Sequence, residues 1–180
     1  QRAKIKFEEI NDVVGISNML SNMGAIYSDQ GANVKALELN LQSLRLAEQV
    51  EDTLRIATAL LNLSINSEAN NDYDYALNSL RRALPLIEVL KDDYDIGLTL
   101  LNFGSIYVEI SNYDSALIYL HKSLDLLIDN EFHADALLYL GRAYRSKKEY
   151  DKAIKYLNLS YNEALKSGSN KLIAMSLNGL

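Results

Sequence analysis

The sequence predicts an all-α protein built as an array of helix pairs, and three observations lead to this fold class. The 180 residues include one proline and eight glycines, too few turn formers for a sandwich or barrel of short strands. Hydrophobic residues make up 48% and charged residues 23%, so the chain can bury a core and is no disordered tail. Finally, the chain repeats itself with a period of about 40 residues, and apolar positions within each repeat recur every three and four residues.

The repeat is visible in three columns of small residues. The first column reads Gly24, Ser64, Gly104 and Gly141, at spacings of 40, 40 and 37 residues. An alanine stands twelve positions after each member, at Ala36, Ala76, Ala116 and Ala153. Another small residue stands seven positions further on, at Ser43, Ala83, Ser123 and Ser160. Small residues let neighbouring helices approach closely, so the columns predict a stack of similar helix pairs.

Each repeat is predicted to be a helix, a tight turn and a second helix. In repeats two to four the turn is a polar break that ends in Tyr-Asp: residues 71–74, 111–114 and 148–151. We expect the aspartates of these breaks, Asp74, Asp114 and Asp151, to cap the second helices by accepting from unpaired first-turn N–H groups. Repeat one lacks this break, and Asn33 offers a weaker cap.

The period assigns the chain in order. Residues 1–12, with Ala3, Phe7 and Ile10 at helical spacing, are predicted to be the second helix of a truncated upstream repeat. Repeats 1 to 4 then occupy residues 13–52, 53–92, 93–130 and 131–169, and residues 170–180 begin the first helix of repeat 5. Neither end supplies the polar face that closes an array, so we expect a fragment of a longer protein.

This pattern resembles the tetratricopeptide repeat (TPR), whose signature combines Leu-Gly and Tyr in the first helix with Ala in the second. Leu20–Tyr27, Leu100–Tyr107 and Leu137–Tyr144 carry the match, which covers residues 17–170. The resemblance implies a right-handed superhelical solenoid of antiparallel helix pairs, with the first helices on the concave face. It also implies a module that binds a protein or peptide segment in the concave groove.

Four departures from the signature stand out. Repeat two has Ser64 and Ser67 in place of Gly and Tyr, repeat one has Asn40 at the second aromatic slot, and the closing proline is missing. The period also exceeds the usual length of roughly 34 residues. Longer repeats of this kind resemble those of kinesin light chains, of polarity adaptors and of bacterial signalling proteins.

The charge distribution bears on partners. The net charge of −6 argues against general nucleic-acid binding, which depends on a basic surface. Residues 142–171 carry eight basic and three acidic side chains, whereas residues 86–141 carry ten acidic and two basic ones. This asymmetry is either a polarity of the binding surface or chance variation on a solvated surface. No apolar run is long enough to span a membrane.

Asparagine recurs on the stripe of the first helices that faces the groove. Asn22, Asn62 and Asn102 share one column, although asparagine is unfavourable inside a helix. An amide offers donors and an acceptor, so this column suits the backbone of an extended peptide. The alternative is an asparagine ladder that bonds between neighbouring helices and only sets the curvature. The candidate ligand-binding residues of the stripe are Asn18, Asn22, Asp29, Asn62, Asn102, Tyr139, Arg142 and Arg145.

Arg142 and Arg145 lie where the asparagine column ends, at Tyr139. A guanidinium group there suits a carboxylate of the ligand, such as an acidic residue or a free C-terminus. The alternative is pairing with Asp135 or with the acidic third repeat. Asp29 makes the opposite end acidic, which favours a peptide whose basic part lies toward repeat 1.

We expect no catalysis and no cofactor. The sequence has no cysteine, no phosphate-binding glycine loop and no nucleophile with a suitable base, and His121 and His133 lack a partner at metal-ligand spacing. The leading interpretation is a scaffold that binds a protein or peptide segment. The alternatives are a sensor array that regulates an attached kinase, cyclase or transcription regulator, and a structural spacer that self-associates through its ends. The lack of cysteine fits cytoplasm and periplasm alike, and cytoplasm is the expectation.

Overall fold

A computed structural model describes the backbone of residues 2–128 and 130–180, and the side chains of residues 12–128 and 130–180. The described residues form nine α-helices and no β-strand, which confirms the predicted all-α fold class. None of these helices is both long and apolar enough to cross a membrane. In chain order they are α1 (Arg2–Asp29), α2 (Asn33–Gln49), α3 (Thr53–Ala69), α4 (Tyr73–Leu90), α5 (Asp93–Glu109), α6 (Tyr113–Leu126), α7 (His133–Ser146), α8 (Tyr150–Ser167) and α9 (Asn170–Gly179).

The helices divide into two compact units, Gln1–Leu90 and Lys91–Leu180. In unit 1, α1 packs on α2 and α3 packs on α4, while α3 also contacts α1 and α2. In unit 2, the pairs are α5 with α6 and α7 with α8; α7 also contacts α5 and α6, and α9 contacts α7 and α8. Within each unit the odd-numbered first helices are therefore neighbours, which brings their stripes of polar residues side by side.

The glycine column marks the closest approach within a helix pair. A β-carbon placed on Gly141 would lie 2.5 Å from Cγ of Leu157 and 3.2 Å from the Leu157 backbone nitrogen. Gly104 is packed against Leu120 in the same way, and both leucines are buried. Nonbonded carbons normally approach to about 3.5–4.0 Å. Only glycine therefore allows α7 to pack this tightly on α8, and α5 on α6.

The third small column supplies hydrogen bonds between the helices of a pair. In three repeats a buried serine hydroxyl donates, at 2.8 Å, to a carbonyl oxygen 26 residues earlier: Ser43 to Ser17, Ser123 to Gly97 and Ser160 to Ala134. Ala83 occupies this column in repeat 2 and carries no hydroxyl. The identical spacing of the three bonds fixes how far the second helix slides along the first.

The turn inside each pair contains a residue in the left-handed region of backbone space. The φ angle is 73° at Gly31, 61° at Asn71, 63° at Ser111 and 63° at Lys148. The next residue then donates its N–H to a carbonyl five positions back, at 2.8 Å for Asp72 to Ser67 and at 2.9 Å for Glu149 to Tyr144. This is the bond that closes a helix in a Schellman motif. Only the first of the four positions has the glycine that relieves strain there.

The predicted helix caps are wrong by two residues. Asp74, Asp114 and Asp151 lie in the first turn of α4, α6 and α8, where a negative charge interacts favourably with the helix dipole. The capping bonds come from earlier residues: Asp72 accepts from the Tyr75 N–H at 3.2 Å, and Asn112 accepts from the Ser115 N–H at 3.3 Å. Glu149 makes no such bond, and Asn33 is the first residue of α2, after Ala32.

At the N-terminal end, α1 runs without a break from Arg2 to Asp29. No turn separates residues 2–12 from the first helix of repeat 1, so the assignment of residues 1–12 to an upstream second helix stays a prediction. Its apolar positions Ala3, Phe7 and Ile10 lie outside the residues whose side chains are described. Elsewhere, α3, α5 and α9 begin at residues 53, 93 and 170, where the period places the starts of repeats 2, 3 and 5.

Candidate functional site

The polar stripes of α1 and α3 face a shared groove, which we call the groove of unit 1. Between the first half of α3 and the middle of α1 lies a cavity of about 250 Å³. The α1 side of this cavity is polar, and the α3 side combines Leu54 with polar residues. The lining residues are Asn18, Ser21, Asn22, Leu54, Arg55 and Thr58.

A second cavity follows one to two helical turns further along the same groove. Its volume is about 130 Å³, and three helices contribute to its walls. The lining residues are Ala25, Ser28 and Asp29 from α1, Asn40 from α2, and Asn62, Ile65 and Asn66 from α3. The structure thus places Asn18 and Asn22 at one cavity of the groove, and Asp29 and Asn62 at the other.

The amides of Asn22 and Asn62 are not engaged in hydrogen bonds within the described part of unit 1. Asn22 is exposed and Asn62 is half-buried, and within unit 1 neither side-chain amide hydrogen-bonds to a described residue. Within unit 1 they do not form the bond between helices that an asparagine ladder requires. In unit 2, Asn102 is half-buried, and its carbonyl oxygen accepts from the Ser105 hydroxyl at 3.0 Å while its side-chain amide makes no bond to a described residue of that unit.

Two further asparagines of the second cavity are buried. Asn40 has 0% and Asn66 has 1% of its surface exposed. Nδ2 of Asn66 donates to the Asn62 carbonyl oxygen at 2.8 Å, but Oδ1 of Asn66 and both amide atoms of Asn40 have no hydrogen-bond partner among the described residues. Buried amides normally find partners, so three unpaired atoms at one cavity are unusual. The column pattern identifies Asn40 as a departure, but only the packing reveals that it lies beside Asn66.

In unit 2 the basic candidates are already engaged. The Arg142 guanidinium donates to Glu109 Oε1 at 2.8 Å and lies over the Tyr139 ring, 5.3 Å from its centroid. This is the pairing with the acidic third repeat that the sequence offers as the alternative to ligand binding. Both partners of the ion pair keep about a third of their side-chain surface exposed, 29% for Arg142 and 33% for Glu109.

Arg145 and Asp135 complete this face of unit 2. Nη1 of Arg145 donates to the carbonyl oxygens of Asn178 and Gly179 at 3.2 and 3.1 Å, so its charge lies at the last turn of α9. Burial raises the pKa of the Asp135 carboxyl above its ordinary value, and the positive charge of Lys171 opposes this effect. Asp135 does not pair with Arg142.

Each of the two histidines lies within hydrogen-bond distance of a side chain on another helix. Nε2 of His121 lies 3.0 Å from the Tyr144 hydroxyl, and Nδ1 of His133 lies 2.7 Å from Glu163 Oε2. Among the described residues no three His, Cys, Asp or Glu side chains are grouped as they would be around a metal ion.

Comparison with known proteins places these features in a family. A family model described as Tetratricopeptide repeat matches residues 15–88 and again residues 95–166. No curated protein matches the chain.

Solved structures with the same fold include two Rap proteins. The apo form of RapI is similar with a TM-score of 0.85 and 18% identity, over 97% of this chain and 65% of that one. A Rap protein complexed with competence and sporulation factor is similar with a TM-score of 0.82 and 18% identity, over 93% of this chain and 46% of that one.

A third similar structure is a signal-transduction ATPase with numerous domains and a tetratricopeptide repeat sensor, from Pyrococcus horikoshii. Its TM-score is 0.74 and its identity 21%, over 92% of this chain and 25% of that one. The chain thus spans less than two-thirds of the length of each of these three proteins. At such identities the likeness shows the fold alone, an all-α helical repeat.

Proposed function

The chain belongs to the tetratricopeptide repeat family, and on that premise we propose that it is a non-catalytic module that binds an extended peptide or protein segment along its first helices. One structural neighbour was solved with the competence and sporulation factor bound, which supports a ligand-binding role for this fold. The family is generally a scaffold, so chemistry is not needed to explain the polar stripes.

The observation that carries the proposal is the free amides of Asn22 and Asn62 beside the two cavities of the groove of unit 1. An amide can donate to a peptide carbonyl and accept from a peptide N–H, so it holds a backbone whatever its side chains. Because neither amide is spent on a bond between the helices of unit 1, binding breaks no hydrogen bond there. The adjoining cavities then accept side chains of the segment.

Charge gives the bound segment a direction within unit 1. Asp29 is exposed at the rim of the second cavity and attracts a basic residue of the segment. In unit 2, a carboxylate of a ligand has to compete with Glu109 for Arg142. Since this ion pair is partly exposed, it is weak, and exchange of one carboxylate for another costs little.

The test is selection of binders from a random peptide library, followed by fluorescence polarisation. The groove variant, Asn22→Ala with Asn62→Ala, should lose two hydrogen bonds to the peptide of about 0.5–1.5 kcal/mol each, which weakens binding about 5- to 150-fold. The matched control is Asn78→Ala with Asn158→Ala, since both asparagines are exposed on second helices.

Equal affinity of the groove variant and the control variant would remove the groove from the proposal. Failure to select any peptide, with the chain fully helical by circular dichroism, would argue against a peptide-binding function. A concentration-dependent dimer in sedimentation, without peptide binding, would favour the structural spacer instead.

A second candidate, a sensor array that regulates an attached domain, is favoured by the likeness to the repeat sensor of the signal-transduction ATPase. A sensor has to change shape when its ligand binds. Small-angle scattering with and without a selected peptide separates the two candidates: a sensor changes its radius of gyration, and a rigid scaffold keeps it.

A further inference from the structure

The second cavity of the groove of unit 1 has a chemistry that the other repeats lack. Sixteen residues after the glycine column, three repeats place a leucine that is 0 or 1% exposed: Leu80, Leu120 and Leu157. Repeat 1 places Asn40 there, and it is equally buried. The Asn40 amide lies against Gly24, where a β-carbon would come within 2.6 Å of its Oδ1. An asparagine thus replaces a nearly isosteric leucine at a core position.

A second polar replacement lines the same cavity as the first. The position two residues after the glycine column is apolar in three repeats, at Ile26, Ile106 and Ala143, and is Asn66 in repeat 2. Asn66 is 1% exposed. Asn40 and Asn66 come from different helices, α2 and α3, and both line the same cavity of about 130 Å³.

The pair leaves a defined set of unpaired atoms. Nδ2 of Asn40 is an unused donor, and Oδ1 of Asn40 and Oδ1 of Asn66 are unused acceptors. Apolar residues at both positions would have avoided the loss of stability that unpaired buried amides bring. A ligand that supplies one acceptor and two donors satisfies all three atoms, and a primary carboxamide has this set. The three atoms are closed to solvent in this structure, so the ligand reaches them only when the side chains around the cavity shift.

Resting on the proposed function, we propose that this cavity, which we call the amide pocket, binds the carboxamide side chain of an Asn or Gln in the bound segment. The volume suits such a group, since a cavity of about 150 Å³ in another protein holds benzene, with six heavy atoms. Asn62 and Asp29 line the pocket on the groove side, so a side chain can enter from a backbone held by Asn62.

The same atoms reject groups of similar size. A carboxylate has no donor for the two Oδ1 atoms and is repelled by Asp29. An ammonium or guanidinium group has no acceptor for Nδ2 of Asn40, so Asp29 attracts it only to the rim. The amide pocket therefore selects by hydrogen-bond pattern, whereas the rim selects by charge.

The first test needs no peptide. The chain, labelled with nitrogen-15, is titrated with propionamide, propionate and 2-butanone up to about 50 mM, a range that reaches the weak binding of a ligand with only five heavy atoms. We expect saturable shifts of the Asn40 and Asn66 side-chain NH₂ signals with propionamide, and at least tenfold weaker effects with the other two compounds. No saturable shift, or equal shifts with all three, would overturn the proposal.

Variants locate the effect. Asn40→Leu restores the residue type of the other repeats, so it should raise the melting temperature by about 3–6 °C and abolish the propionamide response. Asn66→Ile tests the facing wall in the same way, and Asn78→Leu on the exposed face of α4 is the control. A propionamide response that survives both pocket variants would place its binding outside the amide pocket and overturn the proposal.

The second test uses peptides selected for the groove. Replacing one Asn or Gln of the peptide by Glu should lower the affinity of the peptide for the chain at least tenfold. The Asn40→Leu variant should bind both peptides equally. Peptides that bind without such coupling would overturn the amide pocket and leave the proposed function standing. Propionamide binding without any selectable peptide would overturn the proposed function and leave a pocket that binds carboxamides.

Discussion

Gly141→Ala is the sharpest test of how closely the helices of a pair pack. The new methyl group would lie 2.5 Å from Cγ and 2.7 Å from Cδ2 of Leu157, and 3.2 Å from the Leu157 backbone nitrogen. Leu157 is 1% exposed, so its side chain cannot rotate into solvent, and the backbone atom can move only if α7 and α8 separate. The perturbation thus acts on the spacing of one helix pair.

The magnitude follows from two opposing effects. Alanine is favoured over glycine inside a helix by about 1 kcal/mol. Forcing a methyl group into a filled core costs about 1–3 kcal/mol, and contacts this short belong at the upper end of that range. We expect Gly141→Ala to lower the free energy of unfolding by about 2 kcal/mol, a fall in melting temperature of about 4–8 °C.

Gly15→Ala is the matched control, because a β-carbon there meets nothing within 4 Å. It should gain about 0.5–1 kcal/mol from helix propensity alone. Urea denaturation followed by circular dichroism at 222 nm measures both variants. Equal stability of the two variants would refute the reasoning. So would a Gly141→Ala change that stays harmful in a Leu157→Ala background, where the cavity accepts the methyl group.

Three further outcomes can be checked by the same denaturation assay. Lys148→Gly should stabilise by about 1 kcal/mol because Lys148 has a φ of 63°, whereas Lys155→Gly inside α8 should destabilise by a similar amount. Asp72→Ala should cost about 1 kcal/mol, and Asp74→Ala only about 0.5, if Asp72 is the cap. Asp135→Asn should raise stability at pH 7 and have no effect near pH 3. Burial raises the pKa of the Asp135 carboxyl in the folded state, so the folded state loses stability as the pH rises above the carboxyl's pKa in the unfolded chain, about 3.9.

The helix pairs are predictable because the repeat columns encode packing directly. Gly104 and Gly141 meet leucines, and Ser123 and Ser160 bond across the pair, so small residues that recur at one period are a direct sign of close helices. The caps are harder to predict, because the Tyr-Asp pair suggests a boundary two residues too late. The turn closes earlier, at a left-handed residue, and nothing in the residue type of Lys148 indicates a positive φ.

The candidate site is only partly predictable. The stripe that contains Asn22 and Asn62 follows from helical spacing, and the structure places both residues beside cavities of the groove. The engagement of Arg142 by Glu109 depends on a distance between two helices, which spacing along one helix cannot supply. Asn40 of α2 and Asn66 of α3 line one cavity together with residues of α1, so this shared site is visible only in the packed structure.

The unpaired amides of Asn40 and Asn66 also bear on motion. A helix pair whose core contains unsatisfied polar atoms has a lower free energy of local opening than one closed by leucine. Backbone amide hydrogens of α2 should therefore exchange with solvent faster than those of α6, where Leu120 takes the place of Asn40. An occupant of the amide pocket slows this opening, so ligand binding is converted into local rigidity of α2 and the helices packed on it.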